Sequence, residues 1–343
     1  MHAERDPARP RRALVTGAGG FIGHHLVTLL KKQGHWVRGV DLAPPRYRPS
    51  DADEFRRLDL RSRESCLQAT WGIDDVYALA ADMGGMGYIS SHHAKILHDN
   101  SLITIHSLDA ARENAVDRFL YTSSACVYPD YRQDEPAVTP LREEDAYPAQ
   151  PQDAYGWEKL VDERLCTHYR EDYGLETRIV RFHNIFGPLG TWDGGREKAP
   201  AALCRKIAVA KLTGVPVVEI WGDGAQTRSF CYVSDCVTGI SKLMRSDYAE
   251  PLNLGQDRLV TLDELADMIA QVAGVDIVKK HVEGPQGVRG RNSDNSRLRE
   301  VLGWEPQVSL EEGLHRTYAW IEGQVASALA AERPRLASVA AGR

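Results

Sequence analysis

The sequence predicts an α/β protein with a doubly wound parallel sheet and a smaller C-terminal lobe. Three observations predict this class. The chain has 343 residues, 43% of them hydrophobic and 26% charged, as is usual for a large globular protein. Short apolar segments alternate with longer segments of helical periodicity, which is typical of βαβ units. A glycine-rich turn lies between the first apolar segment and the first helical one.

Each predicted strand is a short apolar run, and each predicted helix carries apolar residues at helical spacing. The predicted strands are Arg12–Thr16, Trp36–Asp41, Asp75–Ala80, Arg118–Ser123 and Thr177–Arg181. The predicted helices are Phe21–Gln33, which Gly34 ends, His92–Ala111 and Tyr155–Tyr173. After about residue 185 the pattern becomes irregular and rich in glycine and proline. This predicts a lobe over the C-terminal ends of the strands, where open parallel sheets bind ligands.

Composition excludes several classes of protein. Lys and Arg number 42 against 48 Asp and Glu, so there is no basic excess and we expect no nucleic-acid partner. The six cysteines form no CxxC pair, so we expect reduced thiols and no metal site. Residues 1–12 lack the apolar core of a signal peptide, and no apolar run approaches about 20 residues. We therefore expect a soluble, cytoplasmic protein without a membrane partner.

The glycine-rich turn reads TGAGGFIG over Thr16–Gly23 and places Gly17, Gly20 and Gly23 at regular spacing. Such a turn brings backbone N–H groups and the positive end of a helix close to a pyrophosphate. Asp41 follows 18 residues after Gly23 at a predicted strand end. A carboxylate there can accept both hydroxyls of an adenosine ribose and repels a 2′-phosphate, which favours NAD over NADP. The pattern predicts a Rossmann-type nucleotide fold.

Two features near this turn leave alternatives open. Arg46 and Arg48 keep NADP possible, because arginine can accommodate a 2′-phosphate. Asp59 can contact the adenine, or it can simply end a strand. The residues expected to hold the cofactor are Gly17, Gly20, Phe21, Ile22, Gly23, Asp41, Asp59, Tyr155 and Lys159.

Tyr155 and Lys159 form a YxxxK motif, whose spacing puts both side chains on one helical face. A tyrosine that acts as a base must lose a proton from a phenol whose ordinary pKa is about 10. A neighbouring ammonium and the positive nicotinamide ring both stabilise the phenolate. Ser123 or Ser124, at the end of a predicted strand, can share a substrate proton with the tyrosine. Plain helix packing is the alternative, and the dinucleotide turn favours catalysis.

Together, TGAGGFIG, the strand that ends in serine and YxxxK resemble the extended short-chain dehydrogenase/reductase family over about residues 12–325. The resemblance implies an enzyme that modifies nucleotide sugars with tightly held NAD. It also implies a homodimer formed through the helix that carries Tyr155 and its neighbour. We expect residues 1–11 to be a disordered tail, 12–185 mainly the NAD-binding domain, 186–325 mainly the substrate-binding lobe, from which strands can return to the sheet, and 326–343 a flexible tail.

More specific stretches resemble the members of this family that epimerise GDP-mannose at C3 and C5. These are Ala80–Gly87 (AADMGGMG), Ser123–Pro129, Pro148–Lys159, Arg181–Pro200 with its GGREKAP run, and Gly284–Asp294. The resemblance implies that NAD would accept the C4 hydride while Tyr155, assisted by Lys159 and Ser124, removes the C4 hydroxyl proton. Cys126 and Lys198 would be the base and acid that invert C5 and C3. The products would be GDP-L-galactose and GDP-L-gulose.

The same resemblance implies the residues that hold the nucleotide sugar. These are Gly84, Ser124, Asn184, Glu197, Lys198, Lys206, Gln226, Arg228 and one of Arg289 or Arg291. Glu197 can hold Lys198 or face solvent, and His183 is expected to be a hydrogen-bonded histidine outside the chemistry. Alternatives are an epimerase or 4-ketoreductase for another nucleotide sugar, and a non-enzymatic NAD-binding regulator. The regulator would need neither Tyr155 nor Lys159.

Overall fold

A computed structural model describes residues 10–285 and 287–341, with side chains as far as residue 331. The predicted tail 1–11 lies almost wholly outside the described residues, so its disorder stays a prediction. In the segment 326–343 the backbone is helical as far as Ala341. Residues 342 and 343 lie outside the described part of the chain.

The strands are short and most of them are buried. They are β1 (Arg12–Thr16), β2 (Trp36–Asp41), β3 (Glu54–Arg57), β4 (Asp75–Ala78), β5 (Arg118–Ser124), β6 (Glu176–Phe182), β7 (Ile185–Phe186), β8 (Val217–Trp221), β9 (Thr227–Arg228), β10 (Cys231–Tyr232), β11 (Pro251–Leu254), β12 (Val260–Thr261), β13 (Val278–Val282) and β14 (Gly290–Arg291).

The α-helices lie between these strands and at the C-terminal end. They are α1 (Phe21–Lys32), α2 (Arg63–Thr70), α3 (Met86–Ile89), α4 (His93–Glu113), α5 (Ala154–Tyr173), α6 (Ala199–Thr213), α7 (Val233–Arg245), α8 (Leu262–Ala273), α9 (Ser296–Leu302) and α10 (Leu310–Ala341).

Seven strands form one parallel sheet in the order β3-β2-β1-β4-β5-β6-β11. The strand order reverses between β1 and β4, so a crevice opens there at the C-terminal ends of the strands. On one face of the sheet α1 packs with α7, and on the other face α4 packs with α2 and α5. The predicted α/β fold class with a doubly wound parallel sheet is confirmed.

The sequence analysis missed β3 and α2. The β3 segment reads EFRR and lies at the sheet edge, so it lacks an apolar run. Helix α2 is weakly apolar, but Ser62 caps it by accepting a hydrogen bond from the Ser65 backbone N–H. That capping serine was the available signal. Strand β11 comes from the C-terminal half of the chain and joins the sheet beside β6.

The remaining strands form small sheets around the C-terminal ends of the large one. Strand β7 pairs with β10, β8 pairs with β13, and β9 pairs with β12 and β14. Helices α6, α8 and α10 pack on one another beside them. The lobe therefore covers the crevice and contributes residues to it from α6, β9 and β14.

Candidate active site

One large cleft, with a volume of about 1200 Å³, runs along the C-terminal ends of β1, β2, β4, β5 and β6 and under the lobe. This volume exceeds the usual size of a pocket for one small ligand, so it has room for a dinucleotide beside a nucleotide sugar. The predicted site residues that line it are Gly17, Gly20, Phe21, Ile22, Gly23, Asp41, Asp59, Gly84, Ser124, Cys126, Tyr155, Lys159, Asn184, Glu197, Lys198, Lys206, Gln226, Arg228 and Arg291. The cleft thus brings together all predicted site residues except Arg289.

The glycine turn is built for close backbone approach. Gly17 adopts a φ of +68°, which disfavours any residue with a side chain. A Cβ on Gly23 would lie 2.1 Å from the carbonyl oxygen of Gly17, so helix α1 packs directly on the turn. Backbone N–H groups at the start of α1 consequently remain next to the cleft, where they can receive a pyrophosphate.

Asp41 ends β2 beside this turn. Its carboxylate accepts hydrogen bonds from the backbone N–H of Gly19 at 3.0 Å and of Ala43 at 3.3 Å. A Cβ on Gly19 would lie 3.0 Å from the Asp41 carboxyl carbon, so the glycine permits this contact. The turn and the carboxylate together fit the phosphate and ribose parts of a dinucleotide.

The other charged residues near this site are engaged with protein groups. Arg46 lies 3.3 Å from Asp193 and Arg48 lies 2.8 Å from Asp51, so both arginines have acidic partners. Asp59 pairs with Arg61 at 2.6 Å and also lines the cleft. Carboxylate partners reduce the positive charge that a 2′-phosphate would meet, so the arrangement favours NAD.

Tyr155 and Lys159 lie on the inner face of α5, and both are almost completely buried. The Lys159 ammonium nitrogen lies 5.5 Å from the centre of the Tyr155 ring. Burial raises the pKa of Tyr155 well above its ordinary range, while a hydrogen bond with Ser124 opposes the shift. The phenol is therefore neutral in the free protein and needs added positive charge to act as a base.

The structure distinguishes the two serines at the end of β5. The Ser123 hydroxyl donates to Glu163 at 2.5 Å, on the side of the sheet that α5 covers. Ser124 instead caps the short turn at Ala125–Val127 and accepts from the Cys126 backbone N–H at 3.2 Å. Ser124 is therefore the serine next to Tyr155.

Cys126 lies in the same turn, two residues after Ser124. Arg291 of β14 donates a hydrogen bond to the Cys126 sulfur at 3.4 Å and another to Gln133 at 2.6 Å. A guanidinium in this position stabilises negative charge on the sulfur when the thiol gives up its proton.

Lys198 precedes the first turn of α6 and is accessible from the cleft. Desolvation by the surrounding residues lowers the pKa of Lys198. The charge of Arg291 adds to this shift, and the Cys126 thiol opposes it. Glu197 neither pairs with Lys198 nor faces solvent. Its carboxylate forms an ion pair with Arg205 at 2.7 Å and accepts a hydrogen bond from the Gly195 backbone N–H. Among the described residues, Lys198 therefore has no acidic partner.

Two arginines from the lobe, Arg228 and Arg291, line the cleft. The hydrogen bonds of Arg228 go to backbone carbonyls, including Val288 at 2.7 Å. Among the described residues neither Arg228 nor Arg291 forms an ion pair with a carboxylate. Burial and the charge of Arg291 lower the pKa of Arg228. Such a pair of cations is suited to a diphosphate ligand.

Of the two arginines that the sequence left open, Arg291 lines the cleft. Arg289 forms a two-point ion pair with Asp223, both contacts at 3.0 Å, and is not among the described residues that line the cleft. The substrate-binding role expected for Arg289 is therefore not supported by its position. The Asp223 carboxylate already occupies the Arg289 guanidinium.

The other expected substrate contacts have one hydrogen bond each to the lobe. Lys206 donates to the Glu219 carbonyl at 2.6 Å, Gln226 to the Trp221 carbonyl at 2.7 Å and Asn184 to the Ser229 carbonyl at 2.9 Å. The buried Gln226 Oε1 accepts no hydrogen bond within the described residues. It is available to a ligand.

A cluster that the sequence analysis missed joins two loops over the cleft. The Arg196 guanidinium stacks on the Tyr88 ring at 3.8 Å and lies 3.5 Å from Asp82, to which the Tyr88 hydroxyl donates at 2.8 Å. The Gly85 backbone N–H donates to the Arg196 carbonyl at 3.1 Å. The clustering of glycine around Met83–Gly87 was the only sequence signal for this contact.

Within the described residues, no group of three or more His, Cys, Asp or Glu side chains is placed to hold a metal ion. Over the same part of the chain, no helix has the length and apolar character needed to cross a membrane.

Comparison with known proteins places these features in context. The model of the NAD dependent epimerase/dehydratase family matches residues 13–255. The chain is 49% identical over 321 residues to the GDP-mannose 3,5-epimerase of Arabidopsis thaliana. The aligned residues cover 93% of this chain and 84% of the relative.

Solved structures show the same architecture. The UDP-glucose 4-epimerase of Thermotoga maritima, solved with UDP-glucose, superposes with a TM-score of 0.83 at 26% identity, over 92% of this chain and 99% of the other. The UDP-glucuronic acid 4-epimerase of Bacillus cereus, solved with UDP-glucuronic acid and NAD, gives 0.78 at 27% identity, over 91% and 99%.

Proposed function

The chain belongs to the NAD dependent epimerase/dehydratase family, and from this premise we propose that it is a GDP-mannose 3,5-epimerase that works with NAD. It would convert GDP-D-mannose to GDP-L-galactose and GDP-L-gulose. The resemblance inferred from the motifs is confirmed by the identity of 49% to the Arabidopsis thaliana enzyme.

The observation that carries the proposal is the set of groups lining one cleft. Tyr155, Cys126 and Lys198 all line it, together with two arginines that have no carboxylate partner among the described residues. A single-centre 4-epimerase or ketoreductase needs the tyrosine but has no use for a separate thiol and amine. Inversion at carbons next to a ketone needs both a base and an acid.

We assign the oxidation of C4 to the α5 side of the cleft. Bound NAD would supply the hydride acceptor for the oxidation of C4 and the hydride donor for its reduction, so it would not be consumed. Tyr155 removes the proton of the C4 hydroxyl, and Ser124 holds that hydroxyl in place through its own hydrogen bond. Lys159, on the same face of α5, stabilises the phenolate through its charge.

We assign the inversions to Cys126 and Lys198. A C4 ketone makes the hydrogens at C3 and C5 acidic, so one group can remove a proton from one side of the ring while the other supplies a proton from the opposite side. The Arg291 guanidinium, 3.4 Å from the Cys126 sulfur, stabilises a thiolate in this role. The lowered pKa of Lys198 makes its ammonium a better proton donor.

Arg228 and Arg291 are the residues proposed to bind the diphosphate, with Lys206 and Gln226 as further contacts to the nucleotide.

We also propose a homodimer, because α4 and α5 expose a run of apolar side chains. These are Leu97, Ile105, Trp157 and Val161. The six free thiols support a cytoplasmic, reducing location. Light scattering of the purified protein measures the oligomeric state directly.

The test is incubation of the purified protein with GDP-mannose in deuterated water, followed by proton NMR and mass spectrometry. We expect deuterium at C3 and C5 and the two L-sugar products without added NAD. Tyr155→Phe should abolish turnover while NAD stays bound. If the wild-type protein retains bound NAD but exchanges no deuterium into GDP-mannose, the proposed substrate is wrong.

A further inference from the structure

Helix α5 buries charged side chains where a helix of this type usually buries apolar ones. Glu158, Lys159, Asp162 and Glu163 form its inner stripe, and each is at most 3% exposed. Burying a charge is costly unless it is paired. Each of these groups therefore needs a partner, and the chemistry assigned above uses only Lys159.

Glu163 is fully accounted for. Its carboxylate receives two hydrogen bonds from Arg181, at 2.6 and 2.8 Å, and one from Ser123 at 2.5 Å. Arg181 is itself 1% exposed. This acid and this base neutralise each other, so neither is available to the rest of the stripe.

The rest of the stripe contains two acids and one base. The Lys159 ammonium lies 3.4 Å from the Glu158 carboxylate and donates to the Tyr121 hydroxyl at 3.1 Å. The same hydroxyl lies 3.1 Å from Asp162 and 3.3 Å from Glu158. A hydroxyl has a single hydrogen to donate, so it cannot satisfy both carboxylates.

Resting on the proposed function, we propose that Glu158 and Asp162 hold one proton between them, and that this proton keeps the surroundings of Lys159 and Tyr155 electrically neutral. With the proton, the charges of Lys159 and the acid pair cancel. Without it, one negative charge remains beside the Tyr155 phenol and opposes its ionisation. Glu158 and Asp162 are positioning residues, because they act on the substrate only through Tyr155 and Lys159.

The contacts place the proton on Asp162. Glu158 is next to Lys159 and also receives a hydrogen bond from Asn100 at 3.2 Å, so it has donors for an ionised carboxylate. Burial and the negative charge of Glu158 raise the pKa of Asp162, and Lys159 and a hydrogen bond with Thr104 oppose the shift only in part. Asp162 is therefore the acid that stays neutral.

Within the part of the chain that the structure describes, Lys159 is the one cation near Asp162, and no second cation could replace the proton. The groups that face the Glu158–Asp162 pair are Tyr121 from β5, Asn100 and Thr104 from α4, and Lys159 and Cys166 from α5. Burial raises the pKa of both Tyr121 and Cys166, so both stay neutral. Lys159 is the single positive charge among these described neighbours.

The first experiment reads the proton itself. Infrared difference spectra of the full-length protein with bound NAD, at neutral pH, should show the C=O stretch of one buried carboxylic acid in the wild type that both Glu158→Gln and Asp162→Asn lack. Each single change leaves one acid beside one base, so the remaining acid ionises. Asp172→Asn, an exposed carboxylate on the same helix, should keep the band. A band that survives in either single variant would overturn the shared proton.

The second experiment reads the consequence for the tyrosine. In the pH profile of kcat for GDP-mannose, each single variant should keep the midpoint of the limb that reports Tyr155 ionisation. The double variant leaves Lys159 uncompensated and should lower that midpoint by about one to two pH units. Equal and additive shifts in the single variants would instead show that both acids are ionised, and would refute the proposal.

These two readouts separate the possible failures. A wild-type protein without turnover on GDP-mannose would refute the proposed function. The infrared comparison needs no substrate, so it would still show whether Glu158 and Asp162 share one proton. If the double variant does not fold, the single variants decide alone. A merely structural role would lower the melting temperature of the single variants but leave the carboxylic acid band in one of them.

Discussion

Arg291 donates a hydrogen bond across 3.4 Å to the sulfur of Cys126 and so connects the C-terminal lobe to the end of the central strand β5. The two residues are 165 positions apart in the chain. The base proposed for the sheet and the arginine proposed to bind the diphosphate from the lobe are thereby in direct contact. Binding of the nucleotide part of the substrate can consequently set the geometry of the thiol.

Replacement of Arg291 should impair the inversions more than the oxidation of C4. In Arg291→Gln the thiolate loses its stabilising charge, and we expect deuterium exchange at C3 and C5 to fall roughly 100-fold, the lower end of what a general base contributes. Proton NMR in deuterated water gives this rate, and the absorbance of NADH formed in a single turnover reports C4 oxidation. Arg289→Gln, which removes the partner of Asp223, serves as the matched control. Equal loss of exchange in both variants would contradict the assignment.

The preference for NAD should depend on Asp41. Asp41→Ala removes the proposed ribose acceptor and also the partner of the Gly19 backbone N–H. A hydrogen bond to a charged group contributes about 1.5–3 kcal/mol, so NAD should bind roughly 10- to 100-fold more weakly. NADP should lose much less, because the repulsion of its 2′-phosphate disappears as well. Titration calorimetry with both nucleotides, and with Asp41→Asn as the isosteric variant, measures the difference. Equal losses for NAD and NADP would argue against the ribose contact.

The contact between the two cleft loops should tolerate no side chain at Gly85. A Cβ there would lie 2.7 Å from the Glu197 carbonyl oxygen, so the loops would have to separate. Strain of this kind costs about 1–3 kcal/mol, and we expect Gly85→Ala to lower kcat/KM roughly 10-fold or more. At Gly87 a Cβ meets nothing within 4 Å, so Gly87→Ala should keep most of the activity. Similar losses of kcat/KM in both variants would mean that the activity depends on helix α3 in general and not on the contact between the two loops.

How much of the site the sequence predicts depends on how local its signals are. The glycine turn, Asp41 and the YxxxK pair were predicted because their spacing along one βα unit already fixes their neighbours. The choice between Arg289 and Arg291 depends on Asp223 and Gln133, which are distant in sequence. That choice therefore needed the structure.

Buried charge was the hardest feature to foresee. Glu158 and Asp162 have the i, i+4 spacing of one helical face, but a charged face usually lies in solvent. Here α4 and β5 cover that face, and the sequence contains no direct sign of the coverage. The Asp82–Arg196 contact was missed for a related reason, because its two loops are separated by 114 positions.

His183 should make the protein sensitive to acid. It is fully buried, and its ring donates to Asn253 Oδ1 at 2.9 Å, outside the described lining of the cleft. Burial lowers the pKa of His183 from 6.5 to about 3, with the charges of Arg291 and Arg181 adding to the shift. The unfolded chain therefore binds a proton at this position that the folded protein does not bind between these two values. Its contribution to stability is complete above pH 6.5 and is lost as the pH falls below it.

The loss should amount to about 1.4 kcal/mol per pH unit, or about 2 kcal/mol between pH 6.5 and 5. His183→Gln can keep the hydrogen bond to Asn253 without titrating, so its free energy of unfolding should fall less steeply over this range. Urea unfolding at pH 7.5, 6.5 and 5 measures both slopes, and carboxylates common to the two proteins cancel in the difference. His315→Gln, at an exposed position of α10, should show the wild-type slope. If His183→Gln also keeps that slope, the histidine binds its proton in the folded protein, and the prediction that it stays neutral there is wrong.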